Sequence, residues 1–243
     1  MTAIPMTALC SFFCFFCAWS SISSVVCSAP ANKATRTILS MNDYRDSVFY
    51  TIRKADGGPD WKHVPVLAIH RVYWTRDIGI RAAAQLCFDK ENLYVRMTAE
   101  ETDIRAENTA PLSPVYEDSC LEFFFKRPDS EHYFNFEINP NGRLCIQYGP
   151  SRADRTYLAR NDDAAYFDIH AGRTDGGWNV SYRIPLAFLR TFDPLFAFDG
   201  VLRANFYKCG DKTTHPHYLA WAPIQSETPD FHRPADFGTV KFE

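Results

Sequence analysis

Beyond residue 80, apolar and polar side chains alternate with a period of two in one segment after another. Leu93, Val95, Met97 and Ala99 fall on one face of a strand over 93–100, with Tyr94, Arg96, Thr98 and Glu100 on the other. Ser119 to Phe125 repeats the pattern, setting Leu121, Phe123 and Phe125 against Cys120, Glu122 and Phe124. Tyr133 to Asn139 does so again, with Phe134, Phe136 and Ile138 opposed to Tyr133, Asn135, Glu137 and Asn139. Asn141-Gly142 is a strong two-residue hairpin signal, and Leu144, Ile146 and Tyr148 alternate after it. Three strands joined by short turns predict an antiparallel meander.

The rest of the body reads the same way. Asp56-Gly57-Gly58-Pro59-Asp60 is a turn cluster, and Val64-Pro65-Val66 opens an edge segment. Ala82–Phe88, Ala165–Ala171 and Trp178–Ile184 are strand candidates, and Arg152–Asp163 is a polar loop. Pro185 to Leu189 suits a single helical turn with proline at its start. In Val201–Lys208, Leu202, Ala204 and Phe206 oppose Arg203, Asn205 and Tyr207, and Tyr218–Trp221 and Thr239–Phe242 supply two short closing strands. Roughly ten strands with almost no helical periodicity predict an all-β chain: an antiparallel β-sandwich of immunoglobulin-like or jelly-roll-like two-sheet architecture. No break in composition divides residues 44–243, which read as one domain behind a linker over 32–43.

The first 31 residues stand apart. No charge precedes Lys33, and Cys10 to Cys27 is an apolar run diluted by serines. With Ala29-Pro30-Ala31 as a small-residue cleavage site, the stretch reads as a secretory signal, which would make the protein secreted, periplasmic or cell-surface. The missing basic start also allows translation from Met41 and a cytoplasmic protein. Ser20, Ser21, Ser23 and Ser24 argue against stable membrane insertion. Four of the eight cysteines sit in this leader; Cys87, Cys120, Cys145 and Cys209 are scattered in apolar surroundings that favour buried thiols. The 243-residue chain has 26 basic and 29 acidic residues, a balance that excludes a broad basic surface and points to no nucleic-acid partner.

Candidate chemistry lies in the residues that alternate with the core. Glu122, Asn135, Glu137, Arg203 and Asn205 fall on the nominal outer faces of strands whose other faces are strongly apolar. On a shared sheet these carboxylates, amides and guanidinium can form directed bonds to vicinal hydroxyls. Tyr133, Tyr207 and Trp221 are near them in sequence, and aromatic faces pack on apolar C–H patches. The plain alternative is a solvated sheet face. His215, His217 and His232 share a tract with Asp211 and Asp230, a weak metal pattern because Pro216 intervenes and the third ligand is distant. Glu100, Glu101, Asp103 and Asp118 leave room for structural calcium without an EF-hand spacing. Glu117 with Glu122, or Glu122 with Glu137, could in principle cleave a glycosidic bond. No nucleophile-elbow, zinc-protease, P-loop or dinucleotide fingerprint is present, which favours a non-enzyme.

One set of motifs is more specific. Glu100 to Arg105, Val115 to Phe124, Tyr133 to Asn139 with Asn141-Gly142, and Trp178-Asn179-Val180 with Ile184-Pro185 occur in that order. Arg203 to Asp211 follows, then His217 to Ile224 and on through Pro229-Asp230-Phe231-His232 to Phe237-Gly238. From Trp61 onward the chain thus resembles the family 9 carbohydrate-binding modules, and more closely a family-9-like branch of bacterial proteins. The resemblance implies a β-sandwich that binds sugars without catalysis, often at chain ends, between aromatic side chains and a polar cluster. It also implies structural calcium in some members. Matched residue by residue, Trp221 takes the place of a sugar-stacking tryptophan, and Glu122, Asn135, Arg203 and Asn205 take polar positions. Trp74 and Tyr116 are candidates for the second aromatic. A carbohydrate, as a polysaccharide end or an oligosaccharide, is therefore the expected partner; a hydrolytic role for paired carboxylates and a protein partner are the alternatives.

Overall fold

A computed structural model describes residues 48–158 and 163–243. The leader, the linker and residues 44–47 lie outside the described residues, as do the readings made of them. The strands are β1 Phe49–Lys54, β2 Leu67–Ile69, β3 Arg71–Val72, β4 Arg81–Phe88, β5 Asn92–Glu100, β6 Cys120–Lys126 and β7 Tyr133–Ile138. They continue as β8 Leu144–Gly149, β9 Thr156–Tyr157, β10 His170–Thr174, β11 Gly177–Pro185, β12 Val201–Cys209, β13 Tyr218–Ala220 and β14 Gly238–Phe242.

The all-β reading holds, but the sheet is mixed rather than antiparallel. Its main path runs β10-β11-β5-β4-β1-β14-β12-β6-β7-β8-β9. β1 pairs in parallel with β14 through Phe49–Ile52 and in parallel with β4 through Arg53 and Lys54. Neither neighbour is joined to β1 by a hairpin, so nothing forces the antiparallel direction that a tight turn imposes on β6, β7 and β8. By passing from one half to the other, β1 makes the two expected sheets one curled sheet. The halves close on each other: the Phe136 ring on β7 lies 6.1 Å from Tyr182 on β11, nearly parallel to it. Leu86, Val95, Met97 and Val180 from one half meet Phe123, Phe125 and Phe206 from the other in a single core.

Two local expectations change. A short helix, α1 Asp163–Tyr166, occupies the start of the segment read as a strand over 165–171. Phe167 is buried and Asp168 turns the chain with φ of 51°, so pairing starts only at His170. The turn after Pro185 grows into α2 Leu186–Phe192, because Phe188 and Leu189 both reach the core. No helix among the described residues is long and apolar enough to cross a membrane.

The largest departure concerns the outer face of β6, β7, β8 and β12. Every residue of β7 is buried, and so is β6 as far as Phe125. A second apolar cluster, including Val115, Phe124, Tyr133, Tyr207, Phe231 and Phe237, covers that face. The covering chain comes from the connections over 101–119, 210–217 and 221–237, which carry no two-residue period. The polar face is therefore roofed rather than solvated, and a cavity opens where the roof is incomplete.

Candidate functional site

The cavity measures about 250 Å³, and Glu122 of β6 and Cys209 of β12 reach it from the sheet. Strand register sets this floor. Glu122 lies opposite Tyr207 on β12 and opposite Glu137 on β7, and Glu137 lies opposite Cys145 on β8. Asn135 donates to Glu137 Oε1 (2.8 Å) and to Gln147 Oε1 (2.9 Å), while Cys209 donates its thiol hydrogen to Glu122 Oε1 (2.9 Å).

Aromatic side chains form the walls. Trp74, Tyr218 and Phe231 make one cluster, with Trp74 5.5 Å from Tyr218 and 5.6 Å from Phe231. Trp74 adopts φ of 58°, a left-handed conformation uncommon for a bulky residue. Its Nε1 donates to the Ser226 carbonyl, and the Tyr73 N–H donates to the Tyr218 carbonyl. Tyr116 and Tyr157 are 42% and 54% exposed, so their rings are free to meet a ligand. Tyr116 belongs to a single 3-10 turn, Val115–Glu117, fixed by the N–H groups of Asp211 and Lys212, which donate to the Tyr116 and Glu117 carbonyls. Asp118 anchors the preceding loop by accepting from the Glu107 and Asn108 N–H groups and from Asn139 Nδ2.

Charged groups complete the lining. Arg152 and Arg155 come from the β8–β9 connection, which folds tightly because Gly149 has no side chain; a Cβ there would lie 2.2 Å from the Asp154 carbonyl oxygen. Arg155 Nη1 stands 2.6 Å from the ring nitrogens of His232, and the Tyr133 hydroxyl is 2.8 Å from His232 Nδ1. Burial, reinforced by Arg155 and Arg152, pushes the His232 pKa down to about 2, so the ring is neutral. Asp211 and Asp230 also line the cavity.

Electrostatically the floor is an uncompensated acid pair. Glu122 and Glu137 are 3% and 4% exposed, and among the described residues neither has a basic nitrogen within ion-pair distance. Burial raises the Glu137 pKa to about 7, against the pull of Arg155. Burial and the charge of Glu137 raise that of Glu122 well above the carboxylate range.

The eight residues expected at a site separate into groups. Glu122, Trp74 and Tyr116 line the cavity, and Glu137 with Asn135 lie in the buried network behind Glu122. Arg203 lines another hollow, where it donates to Thr239 Oγ1 (2.7 Å) and the Phe237 carbonyl. Asn205 is wholly buried and brackets the backbone of Ala222, accepting from its N–H (2.8 Å) and donating to its carbonyl. Trp221 is a correction. Its ring is in the core, edge-on to Phe206, and a Cβ on Gly238 would lie 2.6 Å from it. It cannot offer a face to a sugar, because Phe206 and the Gly238 backbone already cover it. Sequence reasoning missed Arg152, Arg155, Tyr157 and Tyr218. All but Tyr218 come from a segment read only as polar loop, whose one signal was two arginines followed closely by a tyrosine.

Calcium does not fit the acids expected to hold it. Asp118 accepts three hydrogen bonds and lies beside Arg105, Glu101 is paired with Lys208, and Glu100 and Asp103 are exposed. Nor do the histidines converge: His217 packs on Lys208, whereas His232 lies in the cavity.

Solved structures share the fold. A candidate carbohydrate-binding protein of Bacteroides uniformis ATCC 8492 is 26% identical, with a TM-score of 0.70 over 81% of this chain and 100% of that one. A family 9 carbohydrate-binding module of Caldicellulosiruptor kristjanssonii in complex with cellotriose is 15% identical, with a TM-score of 0.57 over 80% and 93%. A family 9 carbohydrate-binding module of Caldicellulosiruptor kristjanssonii in complex with glucose is 17% identical, with a TM-score of 0.56 over 80% and 95%. No curated protein matches the chain. The profile of carbohydrate-binding family 9 matches residues 59–242, most of the chain and all of the cavity, and the chain belongs to that family.

Proposed function

We propose that this member of carbohydrate-binding family 9 takes its sugar, without catalysis, in the cavity between Trp74, Tyr116 and Tyr157. One observation carries the reading: half-exposed aromatic rings stand over a buried, directional polar floor. A pyranose has an apolar face of C–H bonds and an equatorial rim of hydroxyls. Such a ligand needs a ring to stack on and fixed acceptors at its edge. Glu122, Asp211 and Asp230 supply acceptors, and Arg152 and Arg155 supply donors. A volume of about 250 Å³ suits one or two sugar units rather than a long chain. The glucose and cellotriose complexes of the related modules make glucose and its β-linked oligomers the first ligands to test.

Hydrolysis by Glu122 with Glu137 has no support in the arrangement of that pair. A glycosidase needs two carboxyls flanking the scissile bond. Glu122 and Glu137 are direct cross-strand neighbours, and only Glu122 reaches the cavity. The exported state proposed from Ala29-Pro30-Ala31 would bring the protein to extracellular sugars; a natural N-terminus at Asn32 supports it, and one at Met41 refutes it.

Calorimetric titration with glucose and cello-oligosaccharides tests the site. Tyr116→Ala and Trp74→Ala should each weaken binding about tenfold or more, about 1.4 kcal/mol, with Trp221→Phe as a control that retains affinity. Undiminished binding in both alanine variants would move the sugar elsewhere.

A further inference from the structure

Beside Glu122, the cavity floor holds two thiols that sugar recognition does not require. Cys120 and Cys209 are direct partners across β6 and β12, and Glu122, two residues beyond Cys120, turns its side chain to the same face. Their ligand atoms all lie within 4.8 Å of one another, with Cys209 Sγ 2.9 Å from Glu122 Oε1. Among the described residues this is the one trio of histidine, cysteine or acidic side chains that converges in this way. We infer that Cys120, Cys209 and Glu122 form a binding site for a thiophilic divalent cation such as zinc.

The donor set suits that metal. Two sulfurs and a carboxylate oxygen match zinc's preference, and tetrahedral bonds of about 2.3 Å to sulfur place two thiolates about 3.8 Å apart. That spacing lies within the span available here, and strand pairing holds both cysteines in register. Glu122 and Cys209 border the cavity, so a fourth coordination position would open into it rather than into the core. Glu122 has no ion-pair partner among the described residues, so its carboxyl is not committed to another cation. On binding, each thiol gives its proton to solvent, and so does Glu122 where it carries one; no electron is transferred. The inference does not depend on which sugar, if any, the cavity accepts.

Cobalt(II) is the probe, because tetrahedral thiolate ligation gives it intense visible bands and a thiolate-to-metal charge-transfer absorption. The full chain is used fully reduced, with Cys10, Cys14, Cys17 and Cys27 changed to serine so that the leader contributes no thiolate. One equivalent of cobalt should develop these bands, and zinc should displace it. Adding Cys120→Ser or Cys209→Ser should abolish the charge-transfer band or weaken binding at least tenfold, whereas Cys87→Ser should leave it unchanged. Glu122→Gln, which keeps shape and both thiols, should weaken cobalt binding while preserving thiolate absorption; it serves where the serine variants fold poorly. Absence of the band from the reduced chain overturns the inference, as does a band that survives loss of both Cys120 and Cys209.

Discussion

Glu101 and Glu122 are both withdrawn almost completely from water, yet one is matched with a cation and the other with a second acid. Glu101, just beyond β5, holds Lys208 Nζ at 3.1 Å and accepts from Trp178 Nε1 at 2.5 Å, with His217 Nε2 at 3.6 Å. Lys208 points inward from β12, so the pair ties the two halves of the curled sheet together at one end. Its ammonium also donates to the Cys209 carbonyl (2.7 Å) and stands 2.6 Å from His217 Nε2. Glu122, on the same half but facing outward, meets Glu137 instead. A buried charge is costly unless paired, so a cluster that is fully paired fixes structure. One left unpaired beside a cavity is poised to meet something from outside. The difference teaches where to look for function: in the cluster the protein leaves unfinished.

The largest test of this contrast removes the cation from the finished cluster. Lys208→Met leaves Glu101 buried without its partner, which should cost about 3–5 kcal/mol in urea unfolding. Lys208→Met with Glu101→Gln should recover most of that loss, since the apolar stem remains and no stranded charge is left. Sugar affinity of the folded variants should not change. A cost below about 1 kcal/mol for the single variant would mean that water reaches Glu101 and that the two clusters are alike.

A smaller effect comes from the acid pair, and its sign follows from its titration in metal-free protein. Glu137 faces Glu122 from β6 and Cys145 from β8, with Asn135 beside it and Arg155 and Asp211 acting from the roof. Its pKa in the fold, about 7, lies above the ordinary 4.5. The folded state therefore holds this proton more tightly, and the stability gained is complete below pH 4.5 and lost as pH rises through 7. His217 does the opposite. Burial and then Lys208 lower its pKa from 6.5 to about 4, so its contribution is complete above pH 6.5 and lost as pH falls through 4. Glu137→Gln should thus stabilise the protein at pH 8 by about 1–3 kcal/mol and change little at pH 4.5. A melting curve raised equally at both pH values would show that packing, not charge, is responsible.

The two regions were also unequally legible. The inner faces of β5, β6, β7 and β12 could be read because Leu, Phe and Ile at alternate positions encode burial directly. The register that sets Glu122 opposite Glu137 needed only the Asp129-containing turn between β6 and β7. The family resemblance, carried by the Arg203–Asp211 and His217–Phe237 stretches, named the ligand class. What failed was the meaning of the outer face. Asn205 and Glu122 look equivalent in sequence, as polar residues alternating with phenylalanine. One brackets Ala222 and the other floors a cavity, because roof segments without periodicity decide which is reached. Trp221 failed for the same reason: only the close approach of Gly238, 17 residues later, reveals that its ring is enclosed. Strand β1 escaped notice because its partners are distant in the chain and parallel.

The smallest expected effect asks whether the unfinished cluster is compensated at a distance. Arg155 makes no ion pair with either glutamate among the described residues, yet its charge acts on both and on His232. A cation lowers the pKa of every titrating neighbour, acid or base, because it disfavours the more positive form of each. Arg155→Met should therefore move both transitions in one direction: the Glu137 step rises above 7 and the His232 step rises above 2. At neutral pH the stability change should stay within about 1 kcal/mol, the range of a half-exposed charge without an ion-pair partner. Proton NMR of His232 and the pH dependence of melting read the two steps separately. If both stay where they are, solvent screens Arg155 and the acid pair has no compensation inside the protein. If only the histidine step moves, Arg155 belongs to the His232–Tyr133 wall, and the floor remains open to a cation from outside.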